Sequence, residues 1–122
     1  MAFYLKFNTM ADFSDAQIQA VWEKAKKNDG QDPSVYCKDY AGAIIQRNQY
    51  GKGANELDFG WTIDHAKPLS KGGPNDSSNL VPLHWMNNNY KSDDYPEFKT
   101  IITSEDNRRN CKKEQSWHYK QS

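Results

Sequence analysis

A chain of 122 residues with 16 basic and 16 acidic side chains has no global positive field that would indicate a polyanionic partner. Its length predicts one domain over residues 1–122, and two isolated cysteines exclude a disulfide scaffold and indicate free thiols. No long apolar run occurs, which excludes a membrane-spanning helix and a membrane partner. The N-terminus has no secretory signal pattern, so we predict a cytoplasmic protein.

The first predicted element is an N-terminal helix over about residues 15–28. Ser14 and Gln17 have the spacing of a capping box, and Asp29-Gly30 predicts the end of the helix. Apolar side chains recur at helical spacing between these signals: Ile18, Val21, Trp22 and Ala25. Further along, residues 43–45 resemble a short strand, and residues 51–53 a turn.

The next elements follow the order strand, long loop, strand, helix. Residues 60–65, GWTIDH, alternate as a β-strand does, and a loop rich in Gly, Pro and Ser follows them. Residues 79–83 predict a second short strand. From His84 to about Lys91 the residues favour a helix.

Four polar side chains in this stretch form a chemically coherent set. Asp64 and His65 stand together at a strand end, Asn79 lies across the loop, and Asn88 lies on the helix. Each residue alone has an ordinary structural explanation, such as capping a turn or facing solvent. Together they can hold one hard cation beside one general base.

The motif core, about residues 60–93, resembles the HNH nuclease motif of the ββα-metal fold. The Asp-His pair is followed by Pro68, by Lys71-Gly72-Gly73 and by Asn79-Leu80, and Asn88 comes nine residues after Asn79. The flanking residues also resemble small stand-alone bacterial and phage HNH proteins. The resemblance implies an α+β fold in which a ββα-metal hairpin and helix carry additional flanking helices.

The resemblance also implies a role for each member of the polar set. His65 is the general base, Asp64 and Asn88 are the ligands of a divalent metal, and Asn79 braces the loop and orients His65. Imidazole has an ordinary pKa near 6.5, so it can take a proton from water at neutral pH. One carboxylate and one amide oxygen suit Mg²⁺, with Mn²⁺ or another transition metal as the alternative.

Basic side chains supply the predicted nucleic-acid contacts, which are Lys71, Lys91, Arg108 and Arg109. Each has a solvated alternative, and for the basic C-terminal segment, residues 107–122, the charges alone favour that alternative. Lys91 is the first candidate for a phosphate contact, because it lies one turn from Asn88 on the same helix face.

The sequence differs from many members of the family in its lack of cysteines that would bind structural zinc. Many HNH proteins hold zinc with two Cys-x-x-Cys pairs, whereas here His84 and Asn87 stand at the second pair and residues 45–48 lack cysteine. We therefore predict no structural zinc, and packing that holds the hairpin to the helix in its place. The side chains expected to supply that packing are Trp61, Leu80, Leu83 and Trp85. His84 has three interpretations, a remnant ligand, a DNA contact or a packing residue, and we favour packing.

The function implied by the resemblance is metal-dependent endonucleolytic hydrolysis of DNA, with RNA as the alternative substrate. Two other classes use the same fold: a non-catalytic nucleic-acid-binding module, and a nuclease toxin or effector delivered to another cell. These patterns leave open the oligomeric state and any inhibitor or phage-type partner protein.

Overall fold

The computed structural model describes residues 13–120. The prediction of a cytoplasmic protein used N-terminal residues that lie outside this range. The last two residues of the predicted basic C-terminal segment also lie outside it. Within it the chain forms three antiparallel sheets, β1-β2-β3, β4-β5 and β6-β7, and two α-helices. The elements are α1 Asp15–Trp22, β1 Lys26–Lys27, β2 Tyr36–Lys38, β3 Ile44–Gln46, β4 Trp61–His65, β5 Leu80–His84, α2 Trp85–Lys91, β6 Glu97–Ser104 and β7 Asn110–His118.

The β4–β5 hairpin and α2 form the centre of the fold. The hairpin pairs Trp61 with His84 at one end and His65 with Leu80 at the other. The helix follows β5 without a linker, because the His84 side chain accepts the Met86 N–H as an N-cap. Both strands and the helix begin within one residue of their predicted starts, and the α+β class and the ββα core are confirmed.

Helix α1 begins as predicted and ends earlier. Ser14 and Gln17 form the capping box, with both reciprocal hydrogen bonds present. The predicted end near Asn28 was wrong, because the helix stops at Trp22. The backbone of residues 26–27 pairs with β2 instead, so those residues are not available to continue the helix.

The two faces of the β4–β5 hairpin have different partners. Trp61 and Leu80 face α1 and belong to its core cluster, and the Trp61 ring lies 5.2 Å from that of Trp22. Because strand side chains alternate, Asp64 points to the opposite face, against α2. The expectation that Trp61 and Leu80 hold the hairpin to α2 was therefore wrong, since they hold it to α1.

The C-terminal third forms a long hairpin that the sequence analysis missed. Strands β6 and β7 stand where the sequence predicted a solvated basic segment and additional flanking helices. Within residues 13–120, α1 is the one flanking α-helix. Phe98 and Ile102 alternate inward along β6 and pack beneath α2. Asn110 anchors β7 by hydrogen bonds to both backbone groups of Ile44. No helix in the described range is long and apolar enough to cross a membrane.

Candidate active site

A buried ion pair lies at the centre of the candidate site. Lys91 Nζ, near the end of α2, lies 3.0 Å from Asp64 Oδ2 on β4, and both side chains are almost fully buried. The same ammonium group donates to the His65 carbonyl at 3.3 Å and lies 5.2 Å above the Phe98 ring. The pair therefore joins the last turn of α2 to the end of the strand that carries the Asp-His motif.

Asn88 lies one helical turn before Lys91 on the same face of α2. Its side chain is 1% exposed, and its Oδ1 accepts no hydrogen bond from any described residue. A buried carbonyl oxygen without a donor costs free energy unless a cation or water fills the place. An amide oxygen and a carboxylate are suitable donors for Mg²⁺, which keeps most of its waters.

The donor set is small. Across residues 13–120, no three side chains of His, Cys, Asp and Glu come together as a metal cluster. A cation here would take Asp64 and Asn88 from the protein. The residues present therefore fit an open, oxygen-rich Mg²⁺ site and do not form a closed zinc cage.

The ring of His65 is held from the loop that follows it. His65 is half-buried at the end of β4, and its Nε2 lies 2.8 Å from Asn75 Oδ1. Because an amide oxygen only accepts, this hydrogen bond requires the proton on Nε2 and leaves Nδ1 of the neutral ring free to accept a proton. The sequence analysis did not identify Asn75, because Asn79 in the same loop occupies the position of the HNH motif and was assigned to orient His65.

The Asn79 side chain braces the loop by hydrogen bonds to the backbone of other loop residues. Its Oδ1 accepts the Lys67 N–H at 2.9 Å, and its Nδ2 donates to the carbonyls of Lys67 and Pro74 at 2.9 and 2.8 Å. Gly73 is required at this crossing, because a Cβ there would lie 1.9 Å from the Lys67 carbonyl oxygen. Asn79 thus shapes the loop, while Asn75 makes the contact with the His65 ring.

The two positions where the second cysteine pair would fall carry buried hydrogen bonds. Asn87 Nδ2 donates to Asp39 Oδ2 and to the Ile102 carbonyl at 3.1 and 2.9 Å, and its Oδ1 accepts the N–H groups of Ile101 and Ile102. His84 donates its backbone N–H to Asp39 at 2.9 Å, and its Nε2 lies 2.7 Å from the Asp58 carbonyl. These contacts tie α2 to the neighbouring segments without a metal.

Burial shifts the ionisation of both titratable groups in this network. Desolvation lowers the pKa of His84 to about 4, against the smaller opposing effect of Asp58. Desolvation also raises the pKa of Asp39 to about 6, although His84, Asn87 and two further N–H groups donate to its carboxylate. His84 is therefore a neutral, fully buried residue at neutral pH, in agreement with the packing interpretation.

The predicted nucleic-acid contacts lie in three different environments. Lys91 is 1% exposed, so the expectation of a direct phosphate contact has to be corrected: its charge is directed at Asp64. Lys71 is exposed in the loop after His65. Arg108 and Arg109 are exposed in the β6–β7 turn, the opposite end of the hairpin from Phe98, about 25 Å away along β7.

The β4–β5 hairpin, its loop and α2 form a ββα arrangement that carries the candidate site. Residues 52–94 match the family model of the HNH endonucleases, over a segment that contains β4, the loop, β5 and α2. The match confirms the HNH resemblance for this segment, which covers a little over a third of the chain. HNH nucleases generally use a divalent metal and act on nucleic acid. Comparisons with curated proteins and with solved structures give no match.

Proposed function

We propose that the protein is a metal-dependent endonuclease that hydrolyses phosphodiester bonds of DNA. The observation that carries this proposal is the unsatisfied, buried Asn88 Oδ1 one turn from the Lys91–Asp64 pair, at the end of the strand that presents His65. We infer that Asp64 and Asn88 supply two oxygen ligands for a cation, and that His65, the next residue after Asp64, is the general base. The HNH match over the same residues supports the reaction class.

His65 supplies the proton-transfer step. With Nε2 donating to Asn75, Nδ1 accepts a proton from the attacking water, and the ring becomes an imidazolium. The Asn75 oxygen stabilises that charged form through the hydrogen bond that already holds the neutral ring. Asn79 keeps the intervening loop in the shape that places Asn75 at this distance.

Asp64 and Asn88 would hold the divalent cation, Mg²⁺ in the first instance. The bound cation supplies charge stabilisation for the phosphate and for the leaving oxygen. Lys91 contacts the Asp64 carboxylate from one side, which limits its rotation. Lys71, which is exposed on the same loop as Asn75, would contact the nucleic-acid backbone.

The direct test is incubation of supercoiled plasmid with the protein and Mg²⁺, Mn²⁺ or EDTA, followed by gel electrophoresis. We expect nicked or linear DNA with the metals and none with EDTA. A gel shift without any cleavage, under every metal tested, would identify the alternative, a binding module on the same fold.

Two sets of variants separate the roles of the site residues. His65→Ala should lower the cleavage rate by about 10²- to 10⁴-fold while DNA and Mn²⁺ affinities stay unchanged. Asp64→Ala and Asn88→Ala should each weaken Mn²⁺ binding in a calorimetric titration, because each removes one of two protein ligands. Nicking by His65→Ala at the wild-type rate, or unchanged Mn²⁺ affinity in both ligand variants, would disprove the respective assignment.

A further inference from the structure

A cavity of about 260 Å³ opens beside the candidate active site. Its walls are largely aromatic, formed by Tyr40, Phe98, Trp117 and Tyr119. The volume lies just below the ~300 Å³ at which pockets for drug-sized ligands begin, so it has room for one flat ring system. We name it the aromatic pocket.

Three residues of the aromatic pocket connect it directly to the candidate catalytic groups. Lys91 carries the ammonium group that pairs with Asp64. Val81 is the cross-strand partner of Asp64, so the two side chains lie on the same face of the hairpin. Ala66 follows His65 in the chain. A phosphate bound at the candidate metal site would therefore have its neighbouring nucleotide within reach of the pocket.

The aromatic walls are fixed before any ligand arrives. Trp117 Nε1 donates to Thr100 Oγ1 at 2.9 Å, and the Tyr40 ring meets Trp117 edge to face at a centroid distance of 5.3 Å. Phe98 is paired with Trp117 across β6 and β7. Burial and the charges of Asp64 and Asp39 raise the pKa of Tyr40, so its phenol stays neutral beside the ion pair.

Positive charge lies at the mouth of the aromatic pocket. Lys120 contributes to its lining and is exposed, whereas Lys91, also in the lining, has its charge paired with Asp64. Lys67 stands on the adjacent loop with its ammonium group 5.5 Å from the Tyr95 ring. Aromatic walls bordered by lysines are the combination with which proteins bind single-stranded nucleic acid, by stacking bases and attracting phosphates.

We propose that the aromatic pocket is a stacking subsite for one unpaired nucleobase next to the phosphate to be cleaved. This inference rests on the proposed nuclease function and adds a substrate class to it. A paired base cannot enter a pocket of this size, because its complement and its stacked neighbours hold it in the duplex. The preferred substrates are then strands with an unpaired nucleotide at the cleavage point, such as a bulge, and base identity matters little since every base has a stacking face.

The test uses fluorescein-labelled oligonucleotides in EDTA, so that binding is measured by anisotropy without cleavage. Three duplexes differ at one position: fully paired, with one bulged thymidine, and with an abasic residue in the bulge. Loss of a stacked base changes affinity by about 5- to 150-fold. We expect the bulged duplex to bind at least about fivefold more tightly than the paired duplex, and the abasic bulge to lose that advantage.

Protein variants test the same pocket from the other side. Trp117→Ala should remove the preference for the bulged over the abasic duplex, and Trp117→Phe should retain it. Tyr36→Ala is the matched control, because Tyr36 is an aromatic residue of β2 outside the pocket. Equal affinities of wild-type protein for all three duplexes, or an unchanged preference in a folded Trp117→Ala variant, would overturn the proposal.

Parallel incubation of the wild-type protein with Mg²⁺ and plasmid distinguishes this inference from the proposed function. Cleavage without a bulge preference would disprove the subsite and leave the nuclease assignment standing. A bulge preference without cleavage would establish the subsite and disprove the nuclease assignment.

Discussion

Lys91 Nζ lies 3.0 Å from Asp64 Oδ2 with both side chains almost fully buried, so the candidate metal ligand has a cationic partner inside the protein. Taking away one member of a buried pair leaves the other charge uncompensated, which typically costs about 3–5 kcal/mol. We expect Lys91→Met to lower the free energy of unfolding by that amount in urea titrations. Adding Asp64→Asn should recover part of the loss, whereas additive losses would show that the pair is not coupled.

The three consecutive asparagines of α2 have three different environments, which gives the second prediction. Asn87 uses its amide fully, Asn88 presents a buried oxygen to the candidate metal site, and neither amide atom of Asn89 has a partner among the described residues. The Asn87 amide also satisfies Ile101, which lies at the irregularity in the β6–β7 register. Asn87 therefore ties α2 to β6 at the point where the strand ladder leaves an N–H unpaired.

We expect Asn87→Ala to lower the free energy of unfolding by at least about 2 kcal/mol, because it leaves several buried backbone groups without partners. Asn89→Ala is the matched control on the same helix, and it should not lower the free energy of unfolding, because it breaks no hydrogen bond to a described residue. Urea titrations followed by tryptophan fluorescence measure both. Equal effects of the two substitutions would contradict the assignment of Asn87 as the tie to β6.

The hydrogen bond between His65 and Asn75 leads to a third prediction, on the pH dependence of cleavage. Asn75→Ala removes one hydrogen bond to the ring, and at about 0.5–1.5 kcal/mol it should slow cleavage by about 2- to 13-fold. Asn75→Asp places a carboxylate at the same point, which favours the imidazolium form. Since the base must be neutral, the acid side of its pH–rate profile should move to higher pH. An unshifted profile in Asn75→Asp would argue against His65 as the base.

The central hairpin and helix were predictable because their signals are local. Alternation in β4, the loop glycines and the helix-favouring residues from His84 onward lie within a short stretch, and each acts on its neighbours in the chain. The end of α1 was mispredicted, since pairing of residues 26–27 with β2 decides it over a distance of about ten residues. Local helix propensity does not depend on β2, so it cannot predict this competing pairing.

The β6–β7 hairpin and the inner geometry of the site depend on tertiary contacts. Strand β7 has mostly exposed polar side chains and no clear apolar alternation, so its sequence resembles a solvated segment. Lys91 was correctly placed on the same helix face as Asn88, but whether that face meets solvent or Asp64 depends on how α2 packs. Asn75 and Asn79 were both available to reach His65, and the course of the loop decides between them.

A fourth prediction concerns stability between pH 4 and 6.5, where His84 and Asp39 act in opposite directions. The pKa of His84 is lowered to about 4, so the neutral ring favours the folded state. Its contribution to the free energy of unfolding is fully present above pH 6.5 and is lost as the pH falls through 4. The pKa of Asp39 is raised to about 6, so its contribution is present below pH 3.8 and is lost as the pH rises through 6. Each amounts to about 3 kcal/mol, and the two nearly cancel within the window.

Asp39→Asn leaves the His84 contribution uncompensated. Its free energy of unfolding should fall by about 3 kcal/mol more than that of the wild type between pH 6.5 and 4. His84→Asn, which keeps an N-cap oxygen, should show the opposite slope relative to the wild type. Urea titrations at several pH values give the free energy of unfolding as a function of pH. Parallel curves for the wild type and both variants would refute the opposite effects of His84 and Asp39.

The final prediction concerns zinc, and it follows from what replaces the cysteine pair at the start of α2. His84 Nδ1 accepts the Met86 N–H and its Nε2 contacts the Asp58 carbonyl, so both ring nitrogens are engaged. Asn87 is similarly occupied by Asp39 and β6. Zinc-dependent folding needs about four ligands in a closed site, and binding His84 would break its existing hydrogen bonds. Thermal melts with and without a strong chelator should therefore coincide, and elemental analysis should find no stoichiometric zinc. A melting temperature lowered by the chelator, together with one zinc per chain, would show that these hydrogen bonds do not take the place of the metal.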